Sequence, residues 1–368
     1  MDQYFTKNEL LLDGLIDCIG EDVEGLDILE PSAGEGDIVK NCFGDIENVT
    51  MVELDPKLVE RLKMEFEKCE IICGDFLKLK FDDKRFDLIV SNPPFTYTAE
   101  FIEKCFDLLK PRGKMVFIVQ DNTLKLTSNI DLLKRMNQNG VFERVIKYSD
   151  ERLFEGASVP VIIFSYVKTK IDNEKYCLYS VDNGEPKEMI YEINPIFNFK
   201  TSSVKVGDLF SIHVGYVSGA DGLLRTNERD NTINILKKKD VVETFWDFKN
   251  EEDANDVLSG CKTKLMNRKI KKFNENNWFE FGLKRNENII IHNHNKPCLY
   301  MYNQTRQDEI CFVGVVQPFG GNLLLLLPKR DIDLNYYENV FNGEWKKRFI
   351  TDGNRFRISH KQLETSYV

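Results

Sequence analysis

Four consecutive residues, Asn92-Pro93-Pro94-Phe95, carry the groups best suited to chemistry. Two prolines fix φ and remove two backbone N–H groups, so the segment continues as neither strand nor helix. It can instead hold an amide side chain, an unencumbered carbonyl and an aromatic ring in fixed relation. The Asn92 amide oxygen and the Pro93 carbonyl can each accept one hydrogen of an exocyclic amine, while the Phe95 ring stacks on the planar base that bears it. A turn that merely stops a strand has the same composition, so the reading rests on what surrounds it.

Directly before the corner, the apolar run Phe86–Ser91 fits a buried parallel strand, and open α/β sheets place ligands at the carboxyl ends of such strands. Upstream, a strand over 26–30 ends at Glu30. It leads through Pro31-Ser32-Ala33-Gly34-Glu35-Gly36-Asp37 into an amphipathic helix reaching Phe43. The third glycine of a dinucleotide fingerprint is missing, and Glu35 and Asp37 would repel a pyrophosphate, which favours a ligand without phosphates. The strand over 49–52 ends in Glu53-Leu54-Asp55-Pro56, putting a carboxylate where ribose hydroxyls are accepted. The strand over 70–73 runs into Gly74-Asp75-Phe76-Leu77, where Asp75 can accept from an adenine amine and Phe76 can cover the purine. Singly, Glu53 is a surface acid, Asp75 a helix cap and Phe76 a core residue. In register after successive strands they describe one nucleoside pocket.

The rest of the first half is architectural. A helix over 101–109 is ended by Lys110-Pro111-Arg112-Gly113, a strand covers 114–119, and strands over 142–148 and 159–167 form a closing hairpin. A chain of 368 residues is long enough for two domains. The apolar pattern lapses around Lys168–Lys175, which places domains at 1–170 and 171–368. Nine cysteines without a Cys-x-x-Cys pair argue for reduced thiols in an intracellular, soluble protein without a metal site. His292 and His294 are close in sequence but lie on a segment that reads as a strand. Neither a secretory leader nor a membrane-spanning run is expected. The formal charge is −10, yet 22 of the 50 basic and 32 of the 60 acidic side chains fall in residues 1–170, leaving 28 of each beyond. The second half therefore carries none of the deficit. It holds the basic run Lys262, Lys264, Arg268, Lys269, Lys271 and Lys272, free of acids, and a second group with Arg355 and Arg357 in Asp352-Gly353-Asn354-Arg355-Phe356. Such clusters suit phosphate contact, although most charge runs are solvated faces.

The order Glu-Pro-x-Ala-Gly-x-Gly, Glu-x-Asp-Pro, Gly-Asp-Phe, Asn-Pro-Pro-Phe resembles the S-adenosylmethionine-dependent DNA adenine-N6 methyltransferases of the gamma arrangement, the type II modification methylases. The resemblance covers the first 170 residues; the tetrapeptide ends in Phe where many members carry Tyr. It implies an α/β fold with a Rossmann-like methyltransferase sheet and closing antiparallel hairpin, followed by a mixed α/β target-recognition domain. It also implies S-adenosylmethionine as cofactor, with Thr6 near its methionine part, Glu53 on the ribose, and Asp75 with Phe76 on the adenine. Glu30, Ser32, Gly34, Gly36, Leu54 and Asn92 complete that set, and Phe154 would cover the outer face of an extruded base. The implied partner is double-stranded DNA, for a monomer that shares its site with a separate restriction endonuclease. Adenine in RNA, a protein glutamine amide, or a DNA-binding specificity component with an inert core are the competing readings.

Overall fold

The apolar run before the Asn-Pro-Pro corner becomes a central strand of a ten-stranded sheet. The computed structural model of the chain describes residues 6–20, 22–44, 47–150, 152–154, 159–170, 174–193, 196–351 and 355–368, and it divides into two units, Met1–Ser203 and Val204–Val368. The first unit opens with α1 (Glu9–Ile19), whose first turn is capped by the Asn8 side chain, then β1 (Ile28–Glu30), α2 (Asp37–Cys42) and β2 (Val49–Glu53). Next come α3 (Pro56–Glu65), entered through an Asp55 cap and a proline in its first turn, β3 (Glu70–Cys73), β4 (Phe86–Ser91) and α4 (Thr98–Leu108). The unit continues with β5 (Leu109–Gln120), α5 (Ile130–Asn139), β6 (Val141–Lys147), β7 (Val161–Val167), β8 (Lys175–Val181), β9 (Lys187–Ile193) and β10 (Phe197–Phe199).

Across the sheet the order is β3-β2-β1-β4-β5-β7-β6-β8-β9-β10. Strands β3 to β5 pair in parallel, and β7 runs antiparallel to both β5 and β6, which is the closing hairpin. The chain moves outward from β1 to β3 and then returns to β4 on the other side. A crevice therefore opens beyond the carboxyl ends of β1 and β4, where Glu30 and Asn92 lie. Helix α4 buries Phe101, Ile102, Cys105 and Phe106 on one side of the sheet, and α1 buries Leu11, Leu15 and Cys18 on the other.

The junction expected at Lys168–Lys175 is not where the units divide. Strand β8 pairs in parallel with β6, and β9 and β10 extend the sheet further. Two of the lysines that broke the apolar pattern are built into the fold. Lys168 Nζ donates to the carbonyls of Phe106 (2.8 Å) and Leu109 (3.0 Å), and Lys175 Nζ donates to Gly140 (2.8 Å). The aromatic rings of Tyr191 and Phe197 meet Phe142 edge-on and carry the core across the expected boundary.

Among the described residues the second unit has three sheets. One has the order β11 (Phe210–Val214), β17 (Leu323–Pro328), β14 (Pro297–Tyr302), β16 (Cys311–Val315). The second is the hairpin β12 (Thr232–Lys238) and β13 (Val241–Trp246), and the third joins β15 (Gln304–Thr305), β19 (Arg355–Arg357) and β18 (Ile350–Thr351). Its helices are α6 (Val206–Leu209), α7 (Asp221–Leu224), α8 (Glu251–Leu258), α9 (Lys262–Met266), α10 (Glu287–His292), α11 (Leu334–Asn342) and α12 (His360–Thr365). The segment holding His292, expected as a strand, is α10. Only Ile290 of its three consecutive isoleucines is buried, and Ile289 and Ile291 are exposed, so the run lies on a short helix with one inward position.

Helix α1 approaches the sheet so closely that a Cβ on Gly14 would lie 2.0 Å from the Tyr148 hydroxyl and 3.0 Å from Asn183 Oδ1. Gly14→Ala is therefore expected to destabilise the first unit by about 1–3 kcal/mol, the usual range for overpacking, as read from urea unfolding.

Candidate active site

The crevice beyond β1 and β4 contains a cavity of about 760 Å³. Glu53, at the end of β2, is its most constrained polar group. Its Oε2 accepts the Gly34 N–H and its Oε1 accepts the Asp55 N–H, both at 2.8 Å, so both oxygens are aimed by the backbone. Each oxygen retains acceptor capacity toward a diol. Gly34 (φ 57°) and Gly36 (φ 85°) both adopt the left-handed conformation that favours glycine. Gly34 lines the cavity. Gly36 does not, and its requirement is packing, since a Cβ there would lie 2.5 Å from the Phe66 ring.

Across the cavity, Asp75 Oδ1 accepts the Leu77 N–H at 3.0 Å and its Oδ2 pairs with Lys78 at 2.8 Å. The hydrogen bond from Lys78 holds the Asp75 carboxyl below its ordinary range. Phe76 is buried against Phe101, with ring centroids 5.0 Å apart, and both rings face the cavity. Lys104, seated 4.7 Å from the Phe76 centroid, donates to the Phe76 and Leu79 carbonyls and so fixes the turn that carries Asp75. Ser32, exposed Leu54, Asn92 and Pro93 also line the cavity. Around the rim, Glu35 pairs with Lys7 (2.7 Å) and Arg61 (3.3 Å), and the Lys7 hydrogen bond lowers its pKa.

The Asn-Pro-Pro corner is tied at Asn92 through both its main chain and its side chain. The Asn92 carbonyl accepts from Ser32 Oγ at 3.3 Å, and Ser32 Oγ is 2.8 Å from Ser91 Oγ. Asn92 Nδ2 donates to Thr6 Oγ1 at 3.1 Å, which brings the N-terminal segment to the end of β4. Thr6 is buried; Tyr4 and Phe5 lie outside the described residues. Phe95 and Phe154 meet edge-on at 6.0 Å and 73°, forming an aromatic corner beside Asn92. Phe154 is buried, and Glu155 and Gly156 lie outside the described residues. Glu30 sits beneath the cavity, not on its lining, with 1% exposure. Burial pushes its carboxyl well above the usual range, with the Ser32 backbone opposing and the Glu53 carboxylate adding to the shift.

The structure thus brings together Ser32, Gly34, Glu53, Leu54, Asp75, Phe76, Asn92 and Pro93 around one cavity, with Thr6 and Glu30 behind them. It adds Lys78, Tyr97 and Phe101, which sequence reasoning did not assign. Phe101 was hidden in a helical repeat, and Tyr97 lies only two residues past Phe95.

The basic run of the second unit looks different when folded. Arg268 is buried, and its guanidinium donates to five main-chain carbonyls, those of Leu265, Ser218, Phe281, Trp278 and Glu280, at 2.8–2.9 Å. Burial lowers its pKa to about 10. It cannot also contact a phosphate, and the expectation for Arg268 is corrected. Lys262 pairs with Glu251 (2.9 Å) and Glu275 (2.5 Å), and Lys271 pairs with Glu280. Lys264, Lys269 and Lys272 are exposed, and Arg357 is exposed on β19 beside partly exposed Arg355. Asp352, Gly353 and Asn354 lie outside the described residues. Among the described residues no three His, Cys, Asp or Glu side chains gather as metal ligands, and no helix is long and apolar enough to cross a membrane.

Residues 1–144 match the family model described as ribosomal RNA adenine dimethylase. The chain is 25% identical over 189 residues to the type II methyltransferase M.HincII of Haemophilus influenzae, covering 43% of this chain and 36% of that protein. It is 24% identical over 219 residues to the ribosomal RNA small subunit methyltransferase A of Mycoplasma capricolum, covering 55% of this chain and 79% of that one. Among solved structures, the type IIL restriction-modification enzyme MmeI in complex with DNA superposes with a TM-score of 0.58 at 10% identity, covering 97% of this chain and 66% of that one. The first unit therefore has the Rossmann-like fold of the S-adenosylmethionine-dependent methyltransferases. The chain spans only about a third of the length of the type II methyltransferases M.HincII and M.HindII.

Two outcomes follow. Because the folded-state pKa of Glu30 is raised, its destabilising effect is absent below the unfolded value near 4.3 and grows as pH rises above it. Without cofactor, Glu30→Gln is expected to melt above the parent at pH 7, with the gap closing toward about pH 4. Arg268→Ala leaves several buried carbonyls without a donor and is expected to cost at least about 3 kcal/mol in chemical unfolding.

Proposed function

We propose that the chain is a site-specific DNA methyltransferase that moves a methyl group from S-adenosylmethionine to N6 of a flipped-out adenine. One observation carries the reading: Asn92 and Pro93 line the same cavity as Glu53 and Asp75. Acceptors for an amine and acceptors for a nucleoside therefore share one space. The residues fit that cofactor, since Glu53 suits the ribose, Asp75 and Phe76 suit the adenine, and the glycine turn carries acids where a phosphate ligand would need donors. When bound, the sulfonium supplies an electrophilic methyl group.

The chain's own residues do the rest. The adenine amine is a poor nucleophile because its lone pair is delocalised into the ring. Acceptance of its two hydrogens by the Asn92 oxygen and the Pro93 carbonyl favours a pyramidal nitrogen with a localised lone pair. Thr6 takes a hydrogen from Asn92 Nδ2 and so fixes which end of the amide acts as acceptor. No cysteine adduct and no strong base are required, because the methylated nitrogen becomes acidic as it forms. Rotating the base out of a duplex costs roughly a few kcal/mol. Stacking on Phe95, with Phe154 at its edge, returns about 1–3 kcal/mol of that cost. The second unit serves as the target-recognition domain, with Lys264, Lys269, Lys272, Arg355 and Arg357 as its phosphate-contacting cations. The protein works as a monomer, and a separate endonuclease cutting the same site is its proposed companion.

A second reading, methylation of adenine in RNA, is favoured by the match of residues 1–144 to the ribosomal RNA adenine dimethylase model. Sequencing of modified bases in DNA and RNA from expressing cells separates the two and reports base, atom and context together. Asn92→Ala is expected to lower methyl transfer by about 10²–10³ while calorimetric affinity for S-adenosylmethionine stays near the parent value. Loss of cofactor binding in that variant would contradict the assigned role.

A further inference from the structure

Two segments beside the proposed active site are bonded to one hairpin turn. Strands β8 and β9 are joined through Asp182 and Asn183, with φ of 50° and 56°, and the Gly184 N–H closes the turn onto the Val181 carbonyl at 2.9 Å. Two successive left-handed residues make the tight turn that suits hairpin twist. Both side chains then reach away from their own strands. Asn183 Nδ2 donates to the Leu10 carbonyl at 2.8 Å, and Asn183 Oδ1 lies 2.8 Å from the Tyr148 hydroxyl, itself 3.2 Å from the same carbonyl. Leu10 belongs to the first turn of α1, four residues after the Thr6 that receives Asn92. Asp182 accepts the Ser149 N–H at 2.8 Å and also the Ser149 hydroxyl, while its own N–H donates to Lys147 at 3.0 Å. Ser149 opens the stretch that ends in Phe154, whose ring meets Phe95.

We infer that Asp182 and Asn183 are positioning residues for methyl transfer: Asn183 sets the first turn of α1 and through it the Thr6–Asn92 contact, and Asp182 sets the stretch that leads to Phe154. The inference rests on the function proposed above. Its physical basis is that a hairpin turn with two side chains bonded to two different segments fixes the separation of those segments. That separation spans the cofactor side and the base side of Asn92. Gly14 serves the same joint, because its missing Cβ is what lets Tyr148 and Asn183 reach α1.

Glycine accepts both left-handed positions without strain, so Asn183→Gly and Asp182→Gly remove the side-chain bonds while keeping the turn. In the full chain, Asn183→Gly is expected to weaken calorimetric binding of S-adenosylmethionine about tenfold through the shift of Thr6 and, because Thr6 orients the Asn92 amide, to lower kcat as well. Asp182→Gly is expected to keep that affinity and to lower kcat about tenfold, a loss in the range of small misplacements of a reacting group. Asp182→Asn, which retains an acceptor for the Ser149 N–H, should recover most of the turnover. A turn that only stabilises the fold would instead lower the melting temperature of both variants and leave affinity and kcat at parental values, and that result overturns the inference. So does an equal loss of affinity and kcat in both variants. A parent chain that binds no cofactor sinks the proposed function and this inference with it; a parent that binds, with unchanged variants, sinks this inference alone.

Discussion

Everything around the site depends on a strand that stops without a free donor. Strand β4 is buried along nearly its whole length and paired on both sides, so its end cannot drift. Two prolines then deny the chain a further ladder bond before the 3₁₀ turn Phe95–Tyr97 leads into α4. The corner is left with few ways to move, and the contacts from Ser32 to the Asn92 carbonyl and from Asn92 to Thr6 remove most of those. An amide held in this way has a fixed orientation, with its nitrogen on Thr6 and its oxygen buried at the end of β4.

The topology explains why the nucleoside groups share that space. Strands β1 and β2 end beside β4 on one side of the reversal in strand order, so Glu53 and the glycine turn meet Asn92 without a long loop. The second side of the corner is built from elements farther away in sequence. Helix α1, the stretch before β7 and the β8–β9 turn converge there, and their mutual bonds run between residues 138 and 173 positions apart as well as 33 apart. The cavity lining that holds Glu53 and the glycine turn is thus made of local strand ends, whereas this flank of the corner is made of tertiary contacts.

Charge had a similar division. The run from Lys262 to Lys272 contains no acid, yet Glu251, Glu275 and Glu280 close in on it from flanking segments, and a turn of carbonyls wraps Arg268. All three tryptophans fall in the second half; Trp278 and Trp345 are buried, and Trp278 donates to Glu251 at 2.8 Å. What stays exposed of these clusters is a smaller set, Lys264, Lys269, Lys272 and Arg357.

The parallel strands, the glycine turn and the carboxylates at strand ends were legible because each is a local pattern: apolar runs of strand length, a break, then a polar group at the tip. The proline corner was legible for the same reason, since proline acts on its own backbone. Three things were decided only by the tertiary structure. The charged stretch after β7 looked like a linker, but its lysines find carbonyls at the ends of α4 and α5, contacts no window of sequence can show. The isoleucine run before His292 satisfies strand and helix periods alike, and only the space against its neighbours selects the helix. Which basic side chains stay exposed depends on acids brought in by folding, because an ion pair is a matter of distance in space and not of distance along the chain.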